Sequence, residues 1–151
     1  MTQDTDALYM DIYNRLQKIH VQLDDGDRRT LAYFQITSPQ YHALKHLYES
    51  EPVGLTITET ADRLICTRGN ATRLMKRMES QNLVHLNGDE NDRRIVRATL
   101  TEEGRSLFLL AQDSHASSVK ERFAALSDID VNLLASLTKK LVDLLDWNLH
   151  G

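Results

Sequence analysis

The stretch from Leu55 to Gly104 constrains this 151-residue chain more than any other. A short helix, a tight turn and a basic helix are expected there, followed by a β-hairpin whose tip reads Asp89-Glu90-Asn91-Asp92-Arg93-Arg94. Elements in that order describe a winged helix-turn-helix, a shape that puts one helix in a DNA groove and a hairpin beside it. The first helix of the pair is expected to start at Thr58, whose hydroxyl can cap free N–H groups, and to bury Ala61 and Leu64. Ile65 and Cys66 then fill the turn.

Thr67 is the next cap. Behind it Ala71, Leu74, Met75 and Met78 fall at i, i+3, i+4 and i+7, an apolar stripe for packing. The opposite face carries Arg68, Asn70, Thr72, Arg73, Lys76 and Arg77, with only Glu79 to offset the four cations. A charged helix face is usually just solvated, and that imbalance weakens the plainer reading. Arginine can fork onto guanine edges, asparagine onto adenine, threonine can touch a thymine methyl, and lysine neutralises phosphate. Residues near a helix start reach bases most easily. Base reading therefore falls to Arg68, Asn70, Thr72 and Arg73, and phosphate contact to Lys76 and Arg77, with Thr67 at the head of the same face.

After Asn82 the period changes to two. Val84 and Leu86 alternate with His85, and beyond the tip Val96, Ala98 and Leu100 alternate with Ile95, Arg97 and Thr99. The loop from Asn87 to Arg93 is too long and polar for a minimal turn, so it should project as a wing. Arg93 and Arg94 at its end suit the narrow minor groove, and Asp92 can hold one guanidinium by a bidentate pair. The plainer alternative is a surface ion pair of little energetic worth.

Three segments carry a family resemblance. Asp92-Arg93-Arg94 followed by Ala98-Thr99-Leu100-Thr101-Glu102-Glu103-Gly104 resembles the wing and exit helix of the MarR family of bacterial transcription regulators. Thr67-Arg68-Gly69-Asn70-Ala71-Thr72-Arg73-Leu74 is similar to that family's recognition-helix entrance, and Ile36-Thr37-Ser38-Pro39-Gln40-Tyr41 with Leu44 to its preceding helix. The resemblance implies an obligate homodimer, a palindromic operator in double-stranded DNA, and a repressor relieved by a small aromatic effector or by oxidation. It also implies that Asp92 and Arg94 form the wing pair and that Arg68 to Arg77 enter the groove. Tyr9, Tyr13, His20, Tyr41 and His42 lie on elements that, under that resemblance, border an effector cavity, although aromatic residues there are more often packing.

The net charge of −4 suits a DNA binder only when divided along the chain. Thr67 to Arg97 holds seven Lys or Arg against four Asp or Glu, so the positive charge is local. An acidic remainder helps turn the basic lobe towards phosphate. A 41% apolar content suits one small core, and no apolar run approaches membrane-spanning length. The polar start Met1-Thr2-Gln3-Asp4 is unlike a secretory signal, and a single cysteine favours a cytoplasmic setting.

At the N-terminal end Leu8, Ile12, Leu16, Ile19 and Leu23 form one stripe, and Asp24-Asp25-Gly26-Asp27 suggests a break before Arg28. At the other end Ser127 can cap a helix whose Leu134, Leu137, Leu141 and Leu144, joined by Leu133 and Leu145, make a wide seam. The helix after Thr101, with Leu107, Leu110, Ala111 and Phe123, connects the two parts. The expected fold is mainly α with a small β-hairpin wing, in a single domain over 1–151. Residues 37–104 make the winged helix-turn-helix lobe, and 1–36 with 105–151 a helical dimerisation region. An internal bundle in a monomer is the alternative.

Other chemistry is thin. Cys66 reads as a core cysteine, and His42 and His46, four apart, do not close a metal site. No catalytic arrangement can be argued from spacing, so no enzyme and no cofactor are expected. Two alternatives stay open: a winged-helix protein-interaction module, and a redox- or metal-responsive regulator using Cys66 or His42 and His46.

Overall fold

The structure, a computed structural model, describes the backbone of residues 2–150 and the side chains of residues 4–147. Among the described residues six helices and three short strands follow one another: α1 (Thr2–Ala32), α2 (Ser38–Glu49), β1 (Leu55–Thr56), α3 (Ile57–Leu64), α4 (Arg68–Ser80), β2 (Val84–Gly88), β3 (Val96–Leu100), α5 (Glu102–Phe123) and α6 (Asp128–His150). The chain divides into two compact units, Met1–His115 and Ala116–Gly151, with the division inside α5.

In the first unit the core is one cluster. Leu31 of α1, Leu44 and Leu47 of α2, Met75 and Met78 of α4, Ala98 of β3 and Phe108 of α5 are fully buried or nearly so. Each such leucine, methionine or phenylalanine contributes about 1.5–3 kcal/mol when taken out of water. The α4 stripe packs as its period predicts, with Ala71, Met75 and Met78 buried and Leu74 half-buried against them. β3 lies between β1 and β2 in an antiparallel sheet. Its register sets Val84 against Leu100, Leu86 against Ala98, and Leu55 against Ala98 from the other side.

Two local expectations are corrected. The helix α3 is capped by Thr56, not Thr58. Thr56 Oγ1 accepts from the Glu59 N–H at 3.1 Å while Glu59 Oε2 accepts from the Thr56 N–H at 2.7 Å. The reciprocal pair needs a Glu or Gln three residues on, and three residues after Thr58 stands Ala61, which has nothing to return. Nor does the chain break at Asp24-Asp25-Gly26-Asp27, where α1 runs through to Ala32. Arg28 pairs with Asp24 at 3.2 Å and Arg29 with Asp25 at 2.7 Å, one turn apart. Such exposed pairs add only about 0.3–0.5 kcal/mol each, so the fully buried Leu31 in the following turn is the stronger anchor.

Thr101 joins the wing to α5. Its hydroxyl accepts from the Gly104 N–H at 2.9 Å and donates to Asn82 O at 2.7 Å. Gly104 sits so close to Leu83 O that a Cβ there would overlap it.

On α1, Leu8, Ile12, Leu16 and Ile19 are exposed within the chain. In the second unit, Asp130 N–H donates to Ser127 Oγ at 3.2 Å, the expected cap. Beyond it α6 exposes Leu133, Leu134, Leu137, Leu144, Leu145 and Trp147. No described helix is long and apolar enough to cross a membrane.

Candidate nucleic-acid interface

The surface of α4 divides into two polar stripes. Thr67 caps the helix, its Oγ1 accepting from the Asn70 N–H at 3.2 Å. Arg68, Thr72 and Lys76, four apart, line a groove of about 260 Å³ whose apolar wall is Ile57 of α3 with Leu86 and Val96 of the sheet. Thr72 turns its hydroxyl back to Arg68 O at 2.8 Å, which leaves its methyl group as the outward chemistry. On the second stripe Asn70 Oδ1 accepts a hydrogen bond from Arg73 Nη2, with Arg77 one turn further along. Asn70 and Arg73 are therefore tied to each other at the helix start.

The wing takes the shape that its sequence suggests. Asp92 receives Arg94 Nε on Oδ1 at 3.2 Å and Arg94 Nη2 on Oδ2 at 3.3 Å. The Arg94 side chain is nevertheless 91% exposed, held in place and open to a partner. Asp92 Oδ1 also accepts from the Arg94 N–H at 3.0 Å, and these bonds hold its carboxyl below the usual aspartate range, the side-chain bond from Arg94 first. Arg93 is exposed beside the pair.

One residue of this region escaped the sequence reading. Arg97 appeared there only as an outward position of a strand. In the structure it bolts the wing to the lobe: Nη2 and Nε donate to Asp89 Oδ2 at 2.8 and 3.0 Å, and Nη1 donates to Gly54 O at 3.3 Å. Asp89 also ionises more readily than usual, chiefly because its carboxylate accepts from the Asn91 N–H and then from Arg97. The available signal was an acidic residue at the loop start facing an arginine on the returning strand, legible only once the loop path is known.

A second cavity, of about 500 Å³, lies between α1, α2, α3 and the start of α4. His20 and Asp24 of α1, His42 and His46 of α2, Arg63, Cys66 and Asn70 are among its lining. Two of the five candidate effector residues, His20 and His42, are brought together here. Tyr9 and Tyr13 are exposed on α1 away from this lining. Tyr41 is buried, and its hydroxyl lies 3.4 Å from His115 Nδ1 while His115 Nε2 lies 3.1 Å from Asp27 Oδ1. Burial, followed by the charge of Asp27, raises the Tyr41 pKa, and desolvation lowers that of His42, so both are neutral near pH 7. Cys66 is half-buried against the core. Among the described residues no cluster of three or more His, Cys, Asp or Glu is arranged to hold a metal ion.

Comparison with known proteins agrees with this architecture. The MarR family model matches residues 36–96. The HTH-type transcriptional regulator TtmR of Methylorubrum extorquens is 40% identical over 80 residues, which is 53% of this chain and 40% of that protein's length. The crystal structure of AbsC, a MarR family transcriptional regulator from Streptomyces coelicolor, superposes with a TM-score of 0.81 at 26% identity, over 90% of this chain and 93% of that one. The S. aureus MepR–DNA complex superposes with a TM-score of 0.77 at 25% identity, over 87% of this chain and 96% of that one. With its basic α4 and its bolted hairpin wing, the segment 36–96 matches the MarR family of transcription regulators, and the fold of the chain is that of the family's solved structures.

Proposed function

We propose that the protein is a repressor that binds a palindromic operator as a homodimer, with α4 in the major groove and the wing over the adjacent minor groove. The observation that carries this reading is Arg94, presented to solvent by a two-point hold on Asp92. An arginine fixed in this way has already lost the rotamer freedom that minor-groove insertion would cost. On α4, Asn70, Thr72 and Arg73 read base edges, while Lys76 and Arg77 meet phosphate. Arg68 shares its groove with Lys76 against the sheet, where a sugar–phosphate strand fits, and this moves Arg68 from base reading to backbone contact. Thr67 presents the helix N-terminus to the same strand, and Arg93 adds charge beside Arg94.

One basic helix per subunit reads only a short half-site, so a two-fold partner supplies the second. The exposed apolar stripe of α1 and the exposed leucine face of α6 each exceed what a solvated helix normally carries, and a second copy is the occupant that fits the operator symmetry. An aromatic effector in the cavity of His20, His42 and His46 releases the operator. Selection from a random duplex pool, followed by footprinting and light scattering, tests the whole reading. An enriched inverted repeat with a dimer in solution is expected. A monomer at micromolar concentration, or no enrichment, overturns it.

A further inference from the structure

Arg97 stands where the wing leaves the lobe. Going towards the tip, it is the last residue of β3 with a partner on both edges, Asn87 of β2 on one side and Thr56 of β1 on the other. The next residue, Val96, pairs with Gly88 alone, so the sheet narrows there from three strands to two. A two-stranded ribbon twists more than a wider sheet and is marginally stable by itself. The Arg97 side chain braces that step. Its Nη2 and Nε donate to one carboxylate oxygen of Asp89 on the wing side. Its Nη1 donates to Gly54 O just ahead of β1 and lies 3.8 Å from Glu59 Oε2 at the head of α3. Gly54 takes a φ of 75°, and a Cβ there would overlap Ala98 O, so its carbonyl is seated against β3. The side chains of Arg97 and Asp89 are only 27% and 13% exposed, and water competes little for their bonds. The tip's own bonds, Arg94 to Asp92 and Ile95 N–H to Asp92 O, begin and end inside the loop. They shape the tip without fixing where it lies relative to α4.

We propose that Arg97 is a positioning residue for the wing: through Asp89 it fixes the offset between the bases under α4 and the minor-groove step that Arg94 enters, and so sets which outer operator position is discriminated. This rests on the wing's minor-groove role proposed above. The consequence for Asp89 runs against simple electrostatics. Removing an acidic charge beside DNA ordinarily tightens binding, whereas Asp89→Asn here weakens it, because the wing loses its brace. Arg97→Lys keeps the positive charge but lacks the planar fork that spans Asp89 and Gly54 O together, so it frees the wing as well. A direct phosphate contact by Arg97 gives the opposite pattern, with Asp89→Asn tighter and Arg97→Lys nearly silent.

The test uses the whole chain and the duplex enriched from a random pool. Hydroxyl-radical footprints at saturating protein separate the two contacts, because a weakly bound or partly unfolded variant is then still fully loaded. The wild type protects the outer minor-groove sugars and the backbone beside α4. Asp89→Asn and Arg97→Lys keep the second protection and lose the first, with operator affinity about fivefold lower. Repeated selection with either variant retains the bases read by α4 and loses the outer preference. In an Arg94→Ala background neither substitution lowers affinity further. Without DNA, backbone ¹⁵N relaxation reads the wing directly: the Arg93, Arg94 and Ile95 amides gain nanosecond motion in both variants while those of α4 do not. Outer protection that persists in both variants, tighter binding by Asp89→Asn, or wing amides as ordered as in the wild type overturns the inference. A wild type that binds duplex without outer protection, or binds none, defeats the wing's minor-groove role instead, and the relaxation measurement still decides whether Arg97 holds the wing.

Discussion

Asp92 grips Arg94 with both carboxylate oxygens while leaving the guanidinium almost wholly in water. Two roles are thus separated between neighbours: one residue supplies charge and the other supplies aim. Arg94→Ala should remove the minor-groove contact outright, while Asp92→Ala keeps the charge and loses its placement. Both variants should weaken operator binding, Arg94→Ala the more, with dimerisation and the melting curve nearly unchanged. In a double-mutant cycle, adding Asp92→Ala to Arg94→Ala should cost almost nothing further. Equal operator affinity of wild type and Arg94→Ala near physiological salt would reduce the pair to surface decoration.

The same bonds set how the wing responds to acid. Asp89 and Asp92 are held below the usual aspartate range, Asp89 mainly by the Asn91 N–H and Asp92 mainly by Arg94. A depressed folded-state pKa gives a contribution that is present above the unfolded pKa and is lost as pH falls through the folded one. The window therefore lies below the ordinary aspartate value, and both pairs should be indifferent to pH between about 5 and 8. Carboxyl-carbon NMR should show Asp92 titrating early, and Arg94→Ala should return its midpoint part of the way, because the Arg94 N–H bond remains. An Asp92 midpoint unmoved by Arg94→Ala would mean that the ion pair is not formed in solution.

What the sequence discloses here is mostly what lies close along the chain. The α4 stripe, the Thr67 cap and the Asp92–Arg94 pair involve residues within a turn or two of one another, where period and spacing suffice. The strand β1 has two residues, too few for any alternation to register, and it exists because β3 offers it a ladder. The Arg97–Asp89 bolt depends on the path of the loop between β2 and β3. Tyr41, His115 and Asp27 come from three different helices, so no spacing rule announces them, and Tyr41 was grouped with cavity residues that it does not join. The Asp24–Asp27 run misled for the opposite reason. Its local signal for a turn was real but weaker than the pull of Leu31 into the core.

Gly104 is fixed by its neighbour rather than by its backbone angles. A Cβ there would overlap Leu83 O, backbone that cannot swing aside, at the joint where Thr101 ties the wing to α5. Gly104→Ala should therefore destabilise by roughly 2–4 kcal/mol despite the better helix propensity of alanine, which returns only about 1 kcal/mol. Urea unfolding measures it. A loss under 1 kcal/mol would show that the joint can open without penalty.

Ile65 presents the reverse case, a residue whose replacement by glycine should help. It closes α3 in the left-handed region, at φ 52 and ψ 51, and is 93% exposed. A β-branched side chain in that region costs about 1–2 kcal/mol, because its Cβ crowds the following carbonyl. Almost none of that is recovered by packing, since little of the side chain touches the chain. Glycine removes the crowding and adds roughly 0.5–1 kcal/mol of backbone entropy lost on folding. The balance favours Ile65→Gly by about 0.5–1 kcal/mol. The turn itself is closed by main-chain bonds, Ile65 N–H to Asp62 O at 3.2 Å and Cys66 N–H to Ala61 O at 3.0 Å, which the substitution leaves in place. Urea unfolding at a fixed protein concentration should show a higher midpoint with an unchanged slope. A lower midpoint would mean that Ile65 is buried in the working assembly, against DNA-free surface of a second copy, and that its strain is offset there.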